Sequence, residues 1–220
     1  MSHHRTARAL TTLAFLAAAP LAAQAPTTIT FAANACTGSS FNFYNSPFDL
    51  QGFRLYNALP LAPHTEAFAT PCSGNASYAG ATTLFANRNG SPTVLHDLSD
   101  APFSISSIEL AQFLSGTQPA QVVTFTGTLV GGATVMQSFT IPTGSGSPTL
   151  ATFTFLPTFA NLRTLQFSAQ GPQSYQFYQF TNLRLNQVAV TTTPEPGTWA
   201  LLGTGLMALG GVARRKRTRV

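Results

Sequence analysis

Through the middle of the chain, apolar and polar residues alternate in short runs broken by Gly, Pro, Asn and Ser. The clearest run sets Val123, Phe125, Gly127 and Leu129 against Thr124, Thr126 and Thr128, the period-two pattern of a strand with one buried face. Gly131-Gly132 follows, and Thr134-Val135-Met136-Gln137-Ser138-Phe139-Thr140-Ile141 resumes a β-favouring composition. The pattern predicts a β-hairpin closed by a tight two-glycine turn. Further strands are expected over 28–32, 52–56, 82–86, 103–111, 149–155, 163–168 and 175–185. Many short strands without a long helical period predict an all-β fold, an antiparallel β-sandwich or jelly roll.

The two ends break this pattern. Arg5 and Arg8 precede an apolar stretch from Ala9 to Ala19 and the small-residue segment Pro20-Leu21-Ala22-Ala23-Gln24-Ala25, the three-part grammar of a secretory signal peptide. Cleavage after Ala25 satisfies the small-residue rule but leaves Pro26, with no N–H and a fixed φ, beyond the scissile bond. Cleavage after Ala23 is the alternative. At the other end, Thr191-Thr192-Thr193 leads into Pro194-Glu195-Pro196, an uncharged stretch over 197–213, and the cluster Arg214-Arg215-Lys216-Arg217. The stretch lies at the short end of what spans a hydrocarbon core of about 30 Å. The basic cluster after it would stay cytoplasmic and leave the body outside. The chain therefore divides into a signal peptide over 1–25, a β-sandwich body over 26–190, and a linker with a transmembrane stop-transfer helix over 191–220.

This division changes the meaning of the net charge. A pI near 9.8 suggests nucleic acid, but the basic residues crowd into the ends. The body keeps Arg54, Arg88, Arg163 and Arg184 against Asp49, Glu66, Asp97, Asp100 and Glu109, a net charge of minus one. No basic patch is left to neutralise phosphates, so a nucleic-acid partner is excluded. Charged residues make up only 8% of the chain and Phe alone counts 18, so apolar surface suffices for a packed core. Export also exposes Cys36 and Cys72 to an oxidising compartment, where one disulfide is the natural pairing.

Candidate chemistry is sparse. No G-x-S-x-G elbow is present, and the body holds only His64 and His96. His96-Asp97-Leu98-Ser99-Asp100 is the one place where a histidine meets carboxylates, and its composition is that of a polar turn before the strand at Phe103. Asp97 and Asp100 could offer oxygen ligands to calcium, but without a loop template. No metal or other cofactor is expected. Of the aromatics Tyr175, Phe177, Tyr178 and Phe180, alternation puts Tyr178 and Phe180 on one face. That pair reads first as core and second as a platform for stacking sugar rings.

Pro-Glu-Pro, a short glycine-containing apolar helix beginning Trp199-Ala200-Leu201-Leu202-Gly203, and a terminal arginine cluster together resemble the PEP-CTERM sorting domain. The resemblance implies recognition of Pro194, Glu195 and Pro196 by an exosortase after passage through the secretion translocase. Two body phrases resemble other PEP-CTERM proteins: 99–111, where a loop ending in Pro-Phe enters a strand, and 159–167 followed by 180–185, which read as the last two strands. The expected protein is an exported, transiently membrane-anchored molecule that ends at the cell surface or in the extracellular matrix, with a non-enzymatic body. The alternative is a displayed carbohydrate-binding module with exopolysaccharide as partner. A third reading, a secreted hydrolase, requires His96 and a carboxylate to line one pocket.

Overall fold

The computed structural model describes residues 26–59, 66–87, 91–170 and 177–187. The expected signal peptide, His64, Arg88, Tyr175, the Pro194-Glu195-Pro196 motif and the basic cluster lie outside them. Among the described residues no helix is long and apolar enough to cross a membrane.

Two antiparallel sheets form the sandwich. In the first, β1 (Thr27–Ile29) pairs with β13 (Tyr178–Gln187), β13 with β8 (Phe103–Gln112), and β8 with β11 (Ala151–Thr154). In the second, β9 (Gln121–Leu129) lies between β10 (Thr134–Ile141) and β12 (Leu162–Gln170). The far edge of β12 carries β7 (Thr93–Asp97), then β4 (Phe53–Asn57) and β3 (Phe48–Leu50). A single residue pair, Leu162 with Phe103, joins the two sheets at a corner.

Phenylalanine fills the space between the sheets. Phe31, Phe53, Phe103, Phe125, Phe159, Phe167 and Phe180 are all fully buried. Phe167 and Phe180 meet edge to face at 5.0 Å, as do Phe53 and Phe103 at 5.5 Å, each pair linking one sheet to the other. Edge-to-face rings of this kind add about 0.5–1.5 kcal/mol per pair beyond the area they bury.

The hairpin of β9 and β10 forms in the expected place, with Val123 and Phe125 buried. Its connection differs from the expected two-glycine turn. Leu129 N–H donates to the Ala133 carbonyl at 2.8 Å and Gly132 N–H to the Leu129 carbonyl at 2.9 Å, which closes a three-residue loop. Gly132 has φ +84°, the left-handed position that such a loop fills with glycine. Two other boundaries also move: the first strand stops at Ile29 before a 3-10 turn over Ala32–Asn34, and the last begins at Tyr178.

Alternation missed β3, β7, β2 (Phe41–Asn45) and β5 (Glu66–Pro71). β5 is buried at every position after Glu66, so it has no polar face to alternate. β7 is covered by β12 and β4 on its two edges and is almost as fully buried. With β6 (Phe85–Ala86), β2 and β5 form a small third sheet.

The disulfide between Cys36 and Cys72 closes the open end of that sheet. Backbone bonds zip the same segments together: Ser73 N–H to the Cys36 carbonyl at 3.0 Å and Gly74 N–H to the Gly38 carbonyl at 2.9 Å. Gly74 is required there, because a Cβ would lie 2.9 Å from the Gly38 oxygen. The half-cystines are 36 positions apart, and closing such a ring in the unfolded chain accounts for about 4 kcal/mol in the loop-entropy model. Cys36→Ser with Cys72→Ser should lower unfolding free energy by about 2–4 kcal/mol, measured by urea denaturation of the oxidised protein against the double variant. An unchanged midpoint would show that the third sheet does not depend on the bridge.

Candidate functional site

Outside the core, the face of the first sheet turned away from the second is concave and polar. Cross-strand register lines up Thr28 of β1, Arg184 of β13, Ser107 of β8 and Thr154 of β11 in one row. A neighbouring row runs from Glu109 of β8 to Thr152 of β11, with Asn182 of β13 beside them. Together they line a depression of about 390 Å³, within the range of about 300–1,000 Å³ that small-molecule sites occupy.

An irregularity shared by two strands creates this face. Thr181 pairs with Glu109 and Leu185 with Ile105, but Arg184 pairs with Ser107 between them, one step out of register. β13 takes up its extra residue at Asn182, which has φ +49°. β8 takes up its own on the other side of the Arg184–Ser107 pair. Such bulges re-aim side chains locally, and here Phe180, Leu183 and Leu185 all stay buried on β13, as do Ile105, Ile108 and Leu110 on β8. Asn182 Nδ2 donates to Glu109 Oε2 at 2.7 Å, which fixes the carboxylate across the strand boundary. Ser106 Oγ donates to the Arg184 carbonyl at 3.2 Å. Among the described residues Arg184 has no carboxylate within salt-bridge distance; the two ion pairs there are Arg54–Asp49 and His96–Asp100.

Above this face the first sheet is closed off. Gln179 is fully buried and donates through Nε2 to the Ser77 and Gln112 carbonyls at 2.6 and 2.8 Å, while its Oε1 accepts from Thr83 Oγ1 at 2.5 Å. Leu84 exchanges both backbone bonds with Phe180. The segment from Ser77 to Leu84 thus covers one end of β13 and leaves the end carrying Asn182 and Arg184 open.

The sequence-derived candidates distribute differently. Tyr178 and Phe180 are buried, 5% and 0% exposed, and pack against Phe167. Neither offers a ring face to solvent, so the sugar-stacking expectation for this pair is overturned and the core reading holds. His96 Nε2 lies 3.2 Å from Asp100 Oδ1, with the Asp100 side chain 87% exposed. The Ser99 hydroxyl donates to Asp97 rather than to His96, and Ser99 N–H donates to the same carboxylate at 2.8 Å. The base–nucleophile contact of a hydrolase is not made within this segment, and Asp97 serves to hold its own turn. His96 and Asp97 end strand β7, so the polar turn is shorter than the sequence suggested.

Alternation alone does not mark Glu109, Asn182 and Arg184 as a site. The available signal was a three-residue gap between buried apolar positions, Phe180 to Leu183 and Ile105 to Ile108, inside strands of period two. Such a gap marks a bulge.

A protein-family model, the PEP-CTERM protein-sorting motif, matches residues 192–217. The chain therefore carries a PEP-CTERM sorting motif. No curated protein matches the sequence. Similar solved structures include a family 29 carbohydrate binding module from Piromyces equi, at 13% identity over 76% of this chain and 93% of that one, TM-score 0.37. A CBM22-1 xylan-binding domain from Paenibacillus barcinonensis matches at 10% identity over 74% and 93%, TM-score 0.31. The K2 cleaved adhesin domain of Lys-gingipain matches at 14% identity over 74% and 99%, TM-score 0.32. Likeness at this level carries no inference about what the chain binds.

Burial pushes the Tyr178 phenol well above its ordinary value of 10.0, and its hydroxyl donates to the Phe167 carbonyl at 3.3 Å. The unfolded chain ionises this tyrosine near pH 10 while the folded chain keeps it neutral, so its contribution to stability is complete below about pH 10 and declines as pH rises further. The urea midpoint should therefore fall between about pH 9 and 11, and Tyr178→Phe should flatten that fall. A variant with the wild-type slope would remove Tyr178 as the cause.

Proposed function

We propose that this protein is exported by the secretion translocase and sorted by an exosortase through Pro194, Glu195 and Pro196. Its β-sandwich body, 26–190, is then displayed at the cell surface or in the extracellular matrix without enzymatic activity. The observation that carries this reading is the PEP-CTERM motif over residues 192–217.

The physical logic of the ends supports it. An N-terminal basic start, apolar stretch and small-residue segment form the grammar of a signal for export. The apolar stretch over 197–213 and the cluster from Arg214 to Arg217 would hold the chain transiently in the membrane, body outward. Two prolines flanking Glu195 fix φ and remove backbone donors, which favours an extended segment that an enzyme cleft can take up. A disulfide-closed flank suits an oxidising destination.

A second reading of the body, a carbohydrate-binding module, is favoured by the concave polar face carrying Glu109, Asn182 and Arg184. Clustered hydroxyl, amide and charged groups in a depression are the donors and acceptors that a polyhydroxylated ligand needs.

Intact mass of the protein recovered from its native host checks the sorting reading. The wild type should lack both ends, while a variant with Pro194, Glu195 and Pro196 changed to alanine should retain the C-terminal segment. Retention of 197–220 in the wild type would make the protein an anchored ectodomain and refute exosortase processing.

A further inference from the structure

We propose that the open face of β1, β13, β8 and β11 binds a neutral polysaccharide edge-on through its hydroxyl groups, with Glu109 and Arg184 as the discriminating pair. This rests on the carbohydrate-binding reading of the body and adds the site, the ligand class and the mode of contact.

Charge sets the ligand class. The depression holds one carboxylate, Glu109, and one guanidinium, Arg184, so its formal charge is zero. Among the described residues the two form no ion pair with each other. A polyanion would lose at Glu109 what it gains at Arg184, and a polycation the reverse, so neither draws a net attraction from the depression. A hydroxyl group both donates and accepts and can satisfy the carboxylate and the guanidinium in turn. The hydroxyls of Thr28, Ser107, Thr152 and Thr154 extend the same chemistry along the face.

The mode of contact follows from what lines the depression. Its described lining contains no aromatic ring, so sugar rings are held by hydrogen bonds at their edges rather than by stacking. Shape sets the ligand's length. The row from Thr28 through Arg184 and Ser107 to Thr154 crosses four strands, and at about 4.8 Å per strand interval it spans about 14 Å. A row of that length fits several sugar units better than one.

Preorganisation completes the case. Asn182 donates to Glu109 Oε2 and leaves Oε1 to accept from a ligand. Asn182 does so from a left-handed backbone position at φ +49°, a conformation that asparagine tolerates better than most residues. A strained backbone residue within a strand, aimed at the one carboxylate of a concavity, is the arrangement in which strain accompanies binding.

The test is calorimetric titration of the purified protein with three neutral probes, cellohexaose, xylohexaose and mannohexaose, and with hexagalacturonate as the anionic one. At least one neutral hexasaccharide should bind, with hexagalacturonate weaker. Glu109→Gln and Arg184→Ala should each lower affinity about tenfold, the usual loss for a charge-assisted hydrogen bond. Asn182→Gly accepts the left-handed backbone and should weaken binding while leaving the circular dichroism spectrum unchanged. Arg54→Ala, on the other sheet, should bind as wild type. Neutral binding that survives both Glu109→Gln and Arg184→Ala would overturn this site and leave the carbohydrate-binding reading standing. Binding of hexagalacturonate in preference would overturn the ligand class. Failure of every neutral probe to bind would overturn both the site and the reading behind it.

Discussion

Strands β8 and β13 must each keep their apolar side chains in one core while switching the parity of their alternation midway. Each does so with a one-residue irregularity, and the two offset each other around the Arg184–Ser107 pair. Without the irregularity at Asn182, every residue of β13 beyond it would change face, because the side-chain period of a strand is two. Leu183 and Leu185 would then leave the core and Arg184 would enter it. The matched pair of bulges thus preserves the phenylalanine packing between the sheets and at the same time turns Glu109, Asn182 and Arg184 outward together.

Around this pair the remaining polar interactions act as fixed supports. Gln179 satisfies its buried amide on three partners from β8 and the segment from Ser77 to Leu84. A buried amide without partners would cost about 1–3 kcal/mol for each group left unmade, so any docking of the segment that breaks these bonds is penalised. That docking carries the third sheet, closed at its other end by the Cys36–Cys72 bridge. The covered and open halves of the first sheet are two results of the same constraint.

The described body uses few charges. Its few charges are placed singly or in pairs, with Arg54 and Asp49 joined at 2.7 Å on the surface and Asp97 engaged in its own turn. The interior depends on aromatic packing and one covalent bridge rather than on ionic networks. The sorting motif lies at the C-terminal end and the polar depression on one face of one sheet, so each can change without disturbing the other.

The all-β class, the β9–β10 hairpin, the pairing of Cys36 with Cys72 and the C-terminal sorting motif are legible in the chain alone. Each of these is local: an alternating run, a glycine pair, two cysteines, a tripeptide with its flanks. Tertiary structure decided that Tyr178 and Phe180 are core, that β5 and β7 are strands despite lacking alternation, and that Glu109, Asn182 and Arg184 share a face. The physical reason is that burial on both sides erases the period-two signal, and that a bulge changes the parity from which a face is read. Glu109 and Arg184 are 75 positions apart, and only the register of β8 against β13 brings them together.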